Sequence, residues 1–96
     1  MEIKWTTKAY TDYISILEYL LSEFSITEVD TFAQKTNDIL LLISKTPLMY
    51  PRAEINNVHK CVLVKQVSLY YRIVNKNQIE LLAFWDNRQN PDNRKY

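Results

Sequence analysis

The side chains of this 96-residue chain that could do chemistry gather in its second half. His59 and Lys60 open one strand-like run, Lys65 closes it, Arg72 sits in the middle of the next, and Arg88 follows the last. Cleavage of an RNA phosphodiester by its own 2′-hydroxyl needs three things. These are a base near neutral pH, a proton donor to the leaving oxygen, and cations over the non-bridging oxygens. His59 could serve as base or acid, with Lys60, Lys65, Arg72 and Arg88 as the clamp. Arg72 carries the most weight, because strand alternation points it away from Tyr71 and Ile73 and so away from the apolar face. The competing reading treats these groups as solvated strand and loop charges, and His59 as an ordinary surface histidine.

Other chemistries are excluded by composition. The chain has no glycine, so no phosphate-cradling loop can form. One histidine and one cysteine cannot make a zinc site at any usual spacing. No serine sits in a recognisable nucleophile context that His59 could serve. No cofactor and no metal are therefore expected. The lone Cys61 allows no internal disulfide, fits a reducing compartment, and is expected to be a buried, inert strand residue. No run of about 18 apolar residues exists to span a membrane, and the opening Met-Glu-Ile-Lys-Trp-Thr lacks the pattern of a signal peptide. The cytoplasm is the expected location.

The formal net charge of +1 hides an asymmetry. Residues 1–50 hold four lysines and seven acids, a net −3, whereas residues 51–96 hold eight lysines and arginines and four acids, a net +4. All four arginines, Arg52, Arg72, Arg88 and Arg94, lie in the second half. Such a split suggests a face directed at an anion, a nucleic acid or an acidic partner. A sequence pI near 7.8 is nevertheless well below that of a dedicated nucleic-acid binder.

The elements that must position these groups can be read from periodicity. With 47% hydrophobic and 24% charged residues, the chain reads as one small globular domain. Glu2–Trp5 is a short strand candidate, after which Thr6 or Thr7 can cap a helix. Tyr10, Tyr13, Ile14, Leu17, Leu20, Leu21 and Phe24 follow helical spacing. Thr27 is the expected cap of a second helix, whose stripe is Val29, Phe32, Ala33, Thr36, Ile39, Leu40 and Ile43 and which ends at Lys45 and Pro47. After a loop, Val58–Lys65 and Val67–Val74 make a hairpin, and Asn75-Lys-Asn-Gln78 leads into a last strand through Trp85. Asparagine is expected there as the substitute for glycine at positive φ.

The order is β-α-α-β-β-β, an α+β architecture with two antiparallel helices on one face of an antiparallel sheet. The other face is expected to be partly open. Alternation assigns Ile79, Leu81, Ala83 and Trp85 to one side of the last strand and Glu80, Leu82, Phe84 and Asp86 to the other. Tyr70, Leu82 and Phe84 thus share the second face with Arg72. They could stack bases or lie under a partner, and the partner is the favoured reading.

The chain resembles toxins of the RelE/ParE superfamily from bacterial type II toxin–antitoxin pairs. The resemblance rests on Ile3-Lys-Trp5, Ala9 with Ile14–Leu21, Phe32 with Ile39–Ile43, Pro47 and Pro51-Arg52. It continues through Leu69-Tyr-Tyr-Arg-Ile73 and Ile79–Trp85, followed by Asp86-Asn-Arg-Gln-Asn-Pro91. It covers nearly the whole chain, and order and spacing carry it more than any one motif. It implies a cognate antitoxin, usually acidic in its wrapping part, and a toxin–antitoxin hetero-oligomer. Arg52, Tyr70, Arg72, Leu82, Phe84 and Arg88 are the expected contacts to target or partner. RelE-like members cut mRNA on the ribosome with sheet cations and a late tyrosine, which Lys60, Lys65, Arg72, Arg88 and Tyr96 could match. ParE-like members lack that set and poison DNA gyrase. The low net charge and the Asn87-Arg-Gln-Asn-Pro ending sit closer to ParE-like chains, which are associated with plasmid stabilisation. Whether the protein is an enzyme depends on the branch. A reading of another class is a toxin fold retained as a harmless protein-binding module.

Overall fold

The computed structural model describes residues 1–52 and 57–87. The elements are β1 (Glu2–Trp5), α1 (Thr7–Glu23), α2 (Ile26–Lys45), β2 (Val58–Val64), β3 (Val67–Asn75) and β4 (Gln78–Asp86). They form one four-stranded sheet of order β1-β4-β3-β2. The β2–β3 and β3–β4 pairs are antiparallel hairpins, whereas β1 lies parallel to β4. The expected β-α-α-β-β-β order and α+β class therefore hold.

Thr6 caps α1: its hydroxyl accepts from the Ala9 N–H at 3.1 Å and donates to the Leu81 carbonyl at 2.7 Å. One side chain thus starts the helix and fixes it to β4. The second cap differs from expectation. Ser25 is the N-cap of α2 and Thr27 lies inside the first turn. The chain reverses at Phe24-Ser25, so the helix can begin as soon as Ser25 is extended, with φ −156°. So short a link makes the two helices antiparallel neighbours.

Helices and sheet share one core that includes Ala9, Phe32, Ile43, Cys61, Leu69, Tyr71, Ile79, Leu81 and Phe84. The α2 stripe behaves as its spacing predicts, with Phe32, Thr36 and Ile43 buried. The α1 stripe is only partly used. Tyr13 packs against Trp5, Phe32 and Phe84, but Tyr10, Tyr19, Leu21 and Phe24 are exposed.

Three β-bulges control which side chains face the helices. Tyr70 pairs with Ala83 but Tyr71 pairs with Leu81, so β4 carries one extra residue at Leu82. Alternation inverts beyond such an insertion. Phe84 therefore joins Ile79 and Leu81 in the helix-facing core, and Trp85 moves to the second face beside Val58, Tyr70 and Leu82. This corrects the expected facing of both residues. A second bulge at Val74 brings Ile73 opposite Ile79 and Arg72 opposite Glu80, and a third lies between Val62 and Val64 in β2. The β3–β4 turn needs no positive φ. Among the described residues only Asn57 has one, at 59°, and Asn75 shapes the turn by accepting from the Asn77 N–H at 2.8 Å.

The segment after α2 folds back over β2. The Tyr71 hydroxyl donates to the Pro47 carbonyl at 2.6 Å, and Tyr50 hydrogen-bonds with the buried Cys61 thiol. Burial raises the Cys61 thiol above its usual 9.0, pushes Tyr50 from 10.0 to about 12, and lifts Tyr71 as well. Because folding raises these pKa values, the stability each neutral group contributes is complete below its unfolded value and is lost as pH climbs through the folded one. The urea midpoint is expected to hold steady to about pH 9 and to fall from there toward pH 12. Tyr50→Phe should flatten that alkaline slope, and an unchanged slope would mean the phenol is not shielded.

Candidate functional site

The second face of the sheet presents Val58 and Lys60 from β2, Tyr70 and Arg72 from β3, and Glu80, Leu82 and Trp85 from β4. Register places Lys60 opposite Tyr70, Val58 opposite Arg72, and Arg72 opposite Glu80. The face expected to be partly open holds exposed and buried residues side by side. Val58, Tyr70 and Leu82, from three adjacent strands, are buried in a second small cluster with Trp85 packed against it. Arg72 lies at the margin, half-exposed, with Nη2 2.7 Å from Glu80 Oε1. Its charge is already matched. An exposed pair of this kind contributes only about 0–1 kcal/mol, so a partner carboxylate or phosphate could displace it at little cost.

His59 is not part of that face. It pairs with Tyr71, so its ring lies on the helix side, where it is 4% exposed and stacks on Tyr71 at 5.2 Å. Its Nδ1–H donates to the Tyr50 carbonyl at 2.8 Å. Together with the Lys60 N–H donated to the Pro51 carbonyl at 3.0 Å and the bridge between Arg52 and His59, this pins the 47–52 segment to the edge of β2. The imidazole is a structural clamp, with the sheet between it and Arg72.

The remaining sequence-selected residues are scattered. Arg52 is exposed beside the β2 edge, and Lys65 is exposed in the β2–β3 turn. Lys65 lies six residues beyond His59, about 20 Å along an extended strand. Phe84 stacks on Trp5 at 5.5 Å inside the core. Arg88 and Tyr96 lie outside the described residues. The structure thus brings together Lys60, Tyr70, Arg72 and Leu82 and leaves His59, Lys65 and Phe84 elsewhere.

Sequence reasoning missed a groove of about 780 Å³ between the helix layer and the far end of the sheet. Its walls are Ile16 and Leu20 of α1, Phe32 of α2, and Leu63, Val67 and Phe84 of the strands. Tyr19 and Phe24 stand at its rim, their rings edge-on at 6.3 Å. Their exposures of 46% and 62% are high for aromatic rings. The available signal was the α1 stripe, which runs on to Leu21 and Phe24, both exposed at the end of the helix. Asp12 lies at the other wall, where its Oδ2 accepts from the Phe84 N–H at 3.1 Å and from Lys8 Nζ at 2.8 Å.

Comparison with known proteins gives this geometry its context. The family model for the ParE toxin of type II toxin–antitoxin systems, parDE, matches residues 3–91. No curated protein matches the chain. Among solved structures, the chromosomal ParDE toxin–antitoxin system from P. aeruginosa superposes with a TM-score of 0.76 at 19% identity, covering 90% of this chain and 95% of that one. The YoeB/ParE toxin from Agrobacterium tumefaciens gives 0.66 at 15% identity, over 90% and 98%. The YoeB dimer from Staphylococcus aureus gives 0.63 at 14%, over 88% and 94%. At such identities the structures establish the shared fold, whereas the family match spans nearly the whole sequence. The chain belongs to the ParE toxin family of type II toxin–antitoxin systems.

Proposed function

We propose that the protein is a ParE-like toxin that inhibits DNA gyrase, and with it replication, rather than cutting RNA, and that a cognate antitoxin neutralises it. One observation carries this reading. Among the described residues the groups that a ribonuclease would need do not converge: His59 is buried on the helix side with Nδ1–H bound to Tyr50, while Arg72 is on the opposite side and paired with Glu80. A general base must come within about 3 Å of the proton it removes, directly or through one water. A sheet between base and cation forbids that for His59. The near-neutral charge points the same way, since each phosphate contact needs a cation. The family match to ParE supports gyrase as the target.

Lys60 and Arg72, with Arg52 and Arg88, are the proposed contacts to target or antitoxin, whereas Tyr70 and Leu82, expected as contacts, are buried beneath that surface. Purified protein is expected to inhibit gyrase supercoiling of relaxed plasmid, with Arg72→Ala weakening inhibition about tenfold if the displaceable ion pair lies at the contact. Translated mRNA should show no codon-positioned cuts by primer extension. Unaffected gyrase at large toxin excess would sink this reading, and cuts that vanish in Arg72→Ala would establish the nuclease instead. Harmless expression of folded protein would favour the binding module.

A further inference from the structure

The ion pair on the second face is one half of a longer row of charge. Arg72 Nη2 lies 2.7 Å from Glu80 Oε1, with the two side chains 45% and 21% exposed. On the other side of β4, the parallel register sets Lys4 of β1 opposite Glu80. Ile3 and Trp5 pack against the helix-side core, so alternation turns Lys4 to the same face as Glu80 and Arg72. Glu80 therefore stands between cations on the two strands that flank β4, each strand about 5 Å away. It is bonded to one of them: among the described residues Lys4 makes no ion pair. The bulge at Val74 is what completes the row, since Arg72 meets Glu80 only through that register shift. Lys60 adds a cation on the diagonal, opposite Tyr70, and Glu2 an acid opposite Gln78.

We propose that Glu80 is an internal competitor for Arg72: a carboxylate of a protein partner takes its place on the guanidinium, and Glu80 turns to Lys4. The partner rests on the reading above, in which Arg72 belongs to the contact with target or antitoxin. The class of ligand follows from the site. Glu80 already seats a carboxylate on the guanidinium, whose planar fork matches that group. A nucleic-acid backbone needs a cation for each phosphate. Beside Arg72 the face is instead apolar, with Val58, Tyr70 and Leu82 buried and Trp85 against them. An aspartate or glutamate set among apolar side chains matches that surface. The exchange keeps the number of ion pairs constant or raises it, because Lys4 receives the carboxylate that Arg72 gives up. Exposed pairs are weak, so the competitor tunes affinity by a factor of about two to five and does not block binding outright.

The probe is glutarate, a dicarboxylate that mimics the glutamate side chain, titrated into the full chain while NMR follows the Arg72 Nε–H signal. A saturable shift is expected. Glu80→Gln keeps the shape, removes the competing charge, and should tighten binding about fivefold. Lys4→Ala should weaken binding about twofold in the native chain and have no effect in Glu80→Gln, because Lys4 acts through Glu80. Lys4→Arg should retain native binding. Glu18→Gln, exposed on α1, changes net charge by the same unit and should leave binding unchanged. Each variant is checked for an unchanged circular dichroism spectrum. Equal tightening in Glu18→Gln overturns the proposal, since it would mark long-range charge alone. So does an Arg72 signal that does not move, a Glu80→Gln variant that gains nothing, or an equal loss from Lys4→Ala in both backgrounds. Inorganic phosphate titrated in parallel should bind more weakly than glutarate, and tighter binding would overturn the carboxylate assignment. No gyrase enters this titration. If gyrase is unaffected while glutarate competes with Glu80 at Arg72, the target assignment fails and the competitor stands.

Discussion

Phe84→Ala is expected to destabilise the protein by about 3–5 kcal/mol, as for other buried aromatic truncations. Phe84 is 4% exposed and lies within 5.5 Å of both the Trp5 and Tyr13 rings, so its removal leaves a cavity shared by β4, β1 and α1. A domain of this size has about 5–10 kcal/mol of stability in all, which leaves the variant near its unfolding threshold at 37 °C. Urea unfolding followed by far-UV circular dichroism measures this directly. Were Phe84 on a solvent-facing surface, as simple alternation along β4 suggests, the loss would stay within about 0.5 kcal/mol, and that result would refute the bulge at Leu82. The experiment also guards against a misreading. A Phe84 variant that has lost toxicity would have lost its fold first, so its phenotype could not assign Phe84 to the target contact.

Asp12→Ala should cost about 2–3 kcal/mol, because it removes a charged acceptor and strands the partly buried Phe84 N–H. Two companion variants separate this bond from the neighbouring ion pair. Asp12→Asn keeps an oxygen that can accept and should recover most of the loss. Lys8→Ala breaks only the exposed i,i+4 pair and should change stability by about 0.5 kcal/mol or less. If Lys8→Ala proved as costly as Asp12→Ala, the ion pair rather than the backbone anchor would be what matters. Asp12 therefore joins α1 to β4 across 72 residues of sequence, at the wall of the groove. Occupation of that groove would be expected to protect the Phe84 amide from hydrogen exchange.

The two candidate surfaces lie on opposite sides of the same sheet. Arg72 and its neighbours lie on the second face of the sheet, and the groove lies between the first face and the helices. Trp85 and Phe84 are adjacent in sequence yet belong one to each side. A ligand in the groove and a ligand on the second face would both press on β4 at neighbouring residues.

The sequence by itself determined the element order, a threonine cap at Thr6 or Thr7, the α2 stripe and the antiparallel β2–β3–β4 meander. These depend on short-range features: a hydroxyl three residues before a free N–H, apolar spacing of three and four, and alternation of period two. It also carried the cation set and the family resemblance. Only the tertiary structure decided which cations could act together. Counting back from a two-residue turn at Lys76-Asn77 puts Arg72 opposite Leu81, and the bulge at Val74 puts it opposite Glu80. Strand parity alone does not say that the 47–52 segment will cover His59 and turn it into a clamp. Nor does it say that β1 lies parallel to β4, or that β4 gains a residue at Leu82 to bring Phe84 under Tyr13. The physical reason is that side chains alternate with period two, so a single inserted residue inverts every facing beyond it. Where the insertion falls is set by packing against residues such as Trp5, Asp12 and Tyr13, far away in the chain and invisible to any local pattern.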